Sequence, residues 1–338
     1  EAAVNLIDEG NTIPFIARYR KEATGSMDDQ VLRKLGERLD YLRGLDKRRD
    51  EVKRSIEEQG AMTEELAQKL EAAETLARLE DLYRPYRPKR KTRASVARAR
   101  GLAPLAELLL AQNSGTDPEK AAADYLSGEV PDTAAALAGA RDILAEQFSD
   151  DAALRQELRE LYQRTALLAS KAADAEKESV YEQYYDYAEP VSKVAGHRIL
   201  AVDRGEREGF LKVSIQAESE QAAALLRRRF VRAGGGPSAA QVTLAAQDAY
   251  DRLLHPSLER ELRSELTARA AEGAIAVFGE NLRQLLLQPP IRGKVALGMD
   301  PGYRMGCKLA VVDPTGKVLA TDVVYPIPAF KKVEQAKA

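Results

Sequence analysis

Between Asp28 and Gln59 apolar residues return at Leu32, Leu35, Leu39, Leu42, Leu45, Val52 and Ile56. Steps of three and four dominate, the spacing that keeps side chains on one face of an α-helix. Asp28 stands where an N-cap belongs, and Gly60 follows the last periodic residue as a C-cap glycine does. A long helix there leaves little room for anything but an α-helical architecture around it. Thr63 offers a cap for a second helix through Leu66, Leu70 and Leu76, with Glu64 and Glu65 favourably placed in its first turn. Ahead of both, Pro14 fits the first turn of a short helix ending near Gly25. Short helices separated by glycine turns resemble a helix-turn-helix geometrically, but small helical bundles share the pattern and are the favoured reading of the residues alone.

From Tyr83 the composition changes. Arg84, Arg87, Lys89, Arg90, Lys91, Arg93, Arg98 and Arg100 supply eight positive charges, with no Asp or Glu between Arg84 and Arg100. The whole chain carries a formal net charge of −2, so this is local clustering in a nearly neutral protein. Dense cations of this kind suit phosphates, because neighbouring contacts release condensed counterions together. Tyr83 and Tyr86 add candidates for base stacking. A basic loop docked on acidic helices satisfies the same pattern, and the residues alone leave both readings open. Pro85 and Pro88 interrupt any helix here.

Helical patterns resume after Gly101, break near Asn113–Pro118 and Gly128–Pro131, and continue in Ala- and Leu-rich sequence from Asp132 to about Asp174. Four tyrosines at 181, 184, 185 and 187 sit among acids, which favours packing at a domain junction over contact with phosphate. Phe210–Gln216 alternates apolar and polar residues, as a strand with one buried face does. A helix through Leu225 and Leu226 ends in Arg227, Arg228 and Arg229, where cations complement the macrodipole. From Ser257 the face Leu258, Leu262, Leu266, Ala270, Ala274, Phe278, Leu282 and Leu285 describes a long central helix stopped at Pro289-Pro290. About 30 residues of helix span roughly 45 Å.

The C-terminal sequence differs in kind. Val295–Met299 is a continuous apolar run, as in a strand covered on both faces, and Asp300-Pro301-Gly302 turns the chain. Cys307–Val312 and Val318–Tyr325 read as two further strands joined by a turn at Asp313–Lys317. A carboxylate closing a first strand before a β-meander is how a ribonuclease H-like fold opens. Asp300 is therefore the candidate catalytic residue of a metal-dependent nuclease, although such chemistry uses several converging carboxylates. Asp313 sits in the turn and Asp322 mid-strand. An actin-like ATPase opening is disfavoured by Tyr303-Arg304-Met305, where a phosphate loop offers Ser or Thr. No G-x-x-x-x-G-K-[ST] and no G-x-S-x-G occurs, and the only histidines, His197 and His255, stand far apart and read as structural. One cysteine, Cys307, excludes an internal disulfide framework and fits a reducing compartment. No run approaches the roughly 18 apolar residues of a membrane helix, so no membrane partner is expected.

TIPFIARYRKEATG (Thr12–Gly25), LEDLYRPYRPKRKTRA (Leu79–Ala94), HRILAVDRGERE (His197–Glu208) and VALGMDPGYRMGCKLAVVD (Val295–Asp313) together closely resemble the bacterial Tex family of transcription accessory proteins. The resemblance implies a mainly α protein with three parts. A multi-helical N-terminal region with helix-turn-helix character covers 1–190, and a mixed linker domain with a short strand and the long central helix covers 191–292. The start of a YqgF domain, α/β and ribonuclease H-like, covers 293–338. It implies a cytoplasmic, non-catalytic scaffold that binds RNA or DNA, has no cofactor, and touches transcription or ribosome machinery. It also implies helix-hairpin-helix elements and an oligonucleotide-binding barrel beyond this chain. Glu1–Val4, a helix already under way, fits a piece of a longer protein. A metal-dependent nuclease using Asp300 and a protein-docking scaffold are the competing functions.

Overall fold

Among the described residues, half of the α-helices begin at a side chain that accepts one of their first free amides. In the computed structural model, which describes residues 1–88, 91–289, 293–302, 306–326 and 334, α1 (Ala2–Asp8) and α2 (Ile13–Tyr19) pack on the start of α3 (Asp29–Glu58). Asp28 caps α3, its carboxylate accepting the Val31 amide at 2.8 Å. Ala3, Ile16 and Leu32 make a small core there, bordered by Leu35. Leu42 is exposed, and burial resumes at Leu45, Val52 and Ile56. These meet α4 (Glu64–Glu71) and α5 (Leu76–Tyr83), capped by Thr63 and Thr75, around Leu70 and Leu79. One long helix thus serves two separate apolar clusters.

The largest core runs from Ala94 to Ala270. Around it lie α6 (Arg93–Ala99), α7 (Ala103–Ala111), α8 (Pro118–Ala123), α9 (Thr133–Ser149) and α10 (Ala152–Thr165). A three-stranded antiparallel sheet follows, ordered β2-β1-β3, from β1 (Leu167–Ala172), β2 (Asp186–Pro190) and β3 (Leu211–Gln216), with α11 (Gly196–Arg207) between the last two. The sheet joins strands from both sides of residue 190 within one core. Helices α12 (Ser219–Phe230) and α13 (Gly236–Asp248) lead through a π-helical turn, Ala249–Leu254, into α14 (His255–Leu286). At Gly236, with φ +58°, an added Cβ would stand 2.8 Å from the Ser114 carbonyl oxygen, so the approach of α13 to that loop requires glycine.

Several expectations are corrected. The helix expected from Thr63 through Leu76 is two, since α4 ends at Glu71 and Thr75 caps α5 afresh. The helical reading to about Asp174 fails at Thr165. Leu168, Ala169 and Ser170 are all buried in β1, the central strand, so no alternation betrays it, and cross-strand pairing overrides the helix preference of Leu and Ala. The face of α14 is buried only through Leu258, Leu262, Leu266 and Ala270; Phe278, Leu282 and Leu285 are exposed. The tyrosine cluster packs as expected, with Tyr181 and Tyr184 buried. His255 also has a structural contact: its Nδ1 lies 2.7 Å from the Tyr162 hydroxyl, which stands 3.0 Å from that of Tyr250. Burial pushes the Tyr162 hydroxyl well above the ordinary phenol range.

The chain divides into two compact units, 1–270 and 271–338. The second holds β4 (Ala296–Asp300), β5 (Cys307–Val312) and β6 (Val318–Val324), antiparallel in the order β4-β5-β6. The apolar run of β4 predicts burial on both faces, yet Leu297 and Met299 are exposed. Among the described residues no helix is long and apolar enough to cross a membrane.

The first unit is tied by charges. Arg155 on α10 is fully buried, its Nε donating to Asp81 of α5 at 2.8 Å, while its Nη2 meets Glu261 of α14. Arg159 bridges the same two carboxylates. Removing one partner of a buried pair strands the other. Asp81→Ala is therefore expected to lower the unfolding free energy by about 3–5 kcal/mol, measured by urea denaturation, with the far-UV spectrum of the native state unchanged.

Candidate nucleic-acid interface

The basic stretch starts where α5 ends. Tyr83 closes that helix inside the core, its hydroxyl 2.9 Å from Ser55 Oγ and its ring under the Arg48 guanidinium. Tyr86 is half-buried against the same cluster. The base-stacking role considered for Tyr83 is thus closed off, because its ring completes the packing of α3 on α5. Pro85 sits in the 3-10 turn Arg84–Tyr86, and the Arg87 amide returns to the Tyr83 carbonyl at 3.0 Å. Arg87 itself is extended. Thr92 then starts α6 with a capping box: Thr92 Oγ1 accepts the Ser95 amide at 3.0 Å and Ser95 Oγ accepts the Thr92 amide at 2.8 Å. The same Thr92 hydroxyl donates to Glu146 of α9 at 3.0 Å.

The eight cations separate into groups. Arg84 is half-buried, turned toward Glu261 at 3.7 Å, and burial beside Arg155 holds its guanidinium below the usual arginine range. Arg98 pairs with Glu146 at 2.7 Å and Arg100 with Glu129 at 3.5 Å. Arg87, Lys91 and Arg93 are exposed and make no ion pair among the described residues. The field of Arg93 does reach Asp142, whose carboxyl burial pushes up. Lys89 and Arg90 lie outside the described residues. Docking on acidic helices and presentation to solvent therefore coexist within one segment.

Beside the stretch opens a cleft of about 1500 Å³. Among the described residues, six arginines (48, 84, 87, 159, 252 and 260) and six carboxylates (80, 81, 146, 150, 261 and 265) line it. This balance of described charges favours the exposed cations beside the cleft over its interior as a place for an anion.

Asp300 ends β4 and is exposed. It pairs in register with Lys308, which pairs with Val323, so strand alternation sends Asp322 to the opposite face. Asp313 is spent on its turn, accepting from the Thr315 hydroxyl at 2.7 Å and from the Lys317 and Thr315 amides at 3.0 and 2.8 Å, which holds its carboxyl below the usual range. Among the described residues no three His, Cys, Asp or Glu side chains gather where they could hold a metal ion. The described residues do not by themselves make a two-metal centre. Tyr303–Met305 lie outside the described residues.

Residues 1–57 match the family described as Tex-like protein N-terminal domain, 113–278 the Tex central region, and 294–338 the Tex protein YqgF-like domain. The chain belongs to the Tex family. It is 45% identical over 341 residues to an uncharacterized protein of Bacillus subtilis, YdcI, covering 99% of this chain and 47% of that protein. It is 45% identical over 343 residues to the transcriptional accessory protein Tex of Neisseria gonorrhoeae, covering 96% and 44%. The human S1 RNA-binding domain-containing protein 1 is 32% identical over 340 residues, covering 95% and 34%. The chain spans less than half the length of these relatives.

The capping box carries the geometry of this Tex segment, since Thr92 both starts α6 and ties it to α9. Thr92→Ala is expected to cost about 1 kcal/mol of stability from the lost cap, with the lost contact to Glu146 adding to it. Thr92→Ser should recover most of the loss in the same urea titration.

Proposed function

We propose that this chain is part of a cytoplasmic transcription accessory protein that binds nucleic acid without catalysis, gripping phosphates through the rim formed by Arg87, Lys91 and Arg93, with Lys89 and Arg90 in the same stretch. The names of the Neisseria and human relatives support a nucleic-acid role. The observation that carries the site is the exposure of three cations with no ion-pair partner among the described residues, on a segment free of acids from Arg84 to Arg100. The remaining described cations of the segment, Arg84, Arg98 and Arg100, position the loop through Glu261, Glu146 and Glu129. Phosphate contacts carry no sequence information, so this site binds without sequence preference, and RNA and DNA strands suit it equally. The domain division at 190 and 292, the helix-turn-helix character and a contact with transcription or ribosome machinery belong to the same proposal.

The test uses the full-length protein and single-stranded oligonucleotides. Each lost phosphate contact flattens the slope of log affinity against log salt by about 0.7. Arg87→Glu, Lys91→Glu and Arg93→Glu together should flatten it by about 2 and weaken binding alike for all sequences. Unchanged affinity and slope would remove the loop from the site. Asp300 at the end of β4 leaves a metal-dependent nuclease as the second reading. Mg²⁺-dependent cleavage of branched substrate that disappears in Asp300→Asn would put it first.

A further inference from the structure

We propose that α2 carries a second contact for single-stranded nucleic acid, a base-stacking platform made by Phe15 and Tyr19. Ile16 is fully buried and Ile13 and Ala17 pack around it, which fixes the inward face of the helix. Phe15 and Tyr19, one helical turn apart, then point outward, 37% and 60% exposed, with ring centroids 5.3 Å apart. Among the described residues, neither ring belongs to the apolar cluster of this region.

Cations surround the rings. The Arg18 guanidinium lies 5.5 Å from the Tyr19 centroid and that of Arg20 lies 5.6 Å from Phe15. Lys21 follows, and no acid occurs from Thr12 to Lys21. Arg18, Arg20 and Lys21 are exposed and make no ion pair among the described residues, whereas nearby Arg33 and Arg43 are paired with Asp29 and Asp8. An exposed ring face beside an unpaired guanidinium offers what a splayed nucleotide needs, a stacking surface for the base and a charge for the phosphate. This charge complementarity selects a polyanion that also has flat aromatic groups. A duplex hides its base faces, so the platform is specific for single strands.

The proposal rests on the nucleic-acid reading above, but its signature differs, because stacking depends little on salt. The experiment again uses the full-length protein, with an oligonucleotide carrying 2-aminopurine, whose fluorescence falls on stacking. Phe15→Ala with Tyr19→Ala should weaken single-strand binding at least about fivefold, leave the salt slope unchanged and reduce the fluorescence quench. Tyr19→Trp should preserve all three, and the exposed substitutions should leave the melting temperature unchanged. Unchanged affinity and quench in the double variant would overturn the platform. Equal loss of duplex and single-strand binding would overturn it too. If the charge reversals at 87, 91 and 93 change nothing while the double variant loses its quench, the loop fails and the platform stands.

Discussion

The guanidinium of Arg155 has no access to water, and the first unit is arranged around that constraint. A buried cation requires carboxylates that reach it, so α5 must bring Asp81 and α14 must bring Glu261 to α10. Ser257 lies 3.2 Å from Arg155 Nη2, and Arg159 shares both acids. Arg155 Nη1 has no partner in the described structure, so the network is incompletely satisfied. Ion pairs of this type add little net stability over apolar packing, but a wrong alignment leaves a bare charge inside. Their effect here is to select one docking of the α3–α5 bundle on the larger core.

That docking decides where the basic segment goes. Asp81 precedes Arg84 by one helical turn, so the anchor fixes the exit of the chain from α5. Arg84 then shares the surroundings of Arg155 and Glu261, which keeps it inward. On the far side Glu146 holds Thr92 and Arg98 to α9. With both ends tied, Arg87 and Lys91 present their charges from a constrained frame. Preorganised cations lose less side-chain and loop freedom on meeting phosphate than cations on a free tail.

Much of the helical frame was legible because caps and periodicity are local. Asp28, Thr63 and the three- and four-residue spacing to Ile56 contain their own evidence. The strand Leu167–Ala172 was illegible because its covered stretch, Leu168–Ser170, has no period to read, and Leu-Leu-Ala-Ser-Lys-Ala suits a helix as well. The anchor was hidden for another reason: Asp81 and Arg155 stand 74 positions apart, and neither has an unusual neighbourhood in sequence. The charge count at 84–100 marks a basic segment but cannot divide it. Which arginines meet Glu146, Glu129 or Glu261 depends on helices distant in sequence. Phe15 and Tyr19 look like core residues in any helical pattern, and only the burial of Ile16 between them shows which face of α2 is free.

Helix α3 gives the two proposed surfaces a fixed relation. Helix α2 packs on its first turns, around Leu32 and Leu35, while α5 packs on its far half, where Ser55 meets Tyr83. Some 20 intervening residues at 1.5 Å each set these attachments about 30 Å apart along the axis. A rigid spacer of this kind makes the second contact intramolecular once the first has formed, provided that the strand can cover the distance. Short oligonucleotides can then occupy only one surface, and their affinity reports that surface alone. On the two proposals above, longer strands gain both the salt-dependent grip of the loop and the salt-tolerant stacking of α2. The separation of the two proposed surfaces thus favours strand length over base sequence as the quantity read.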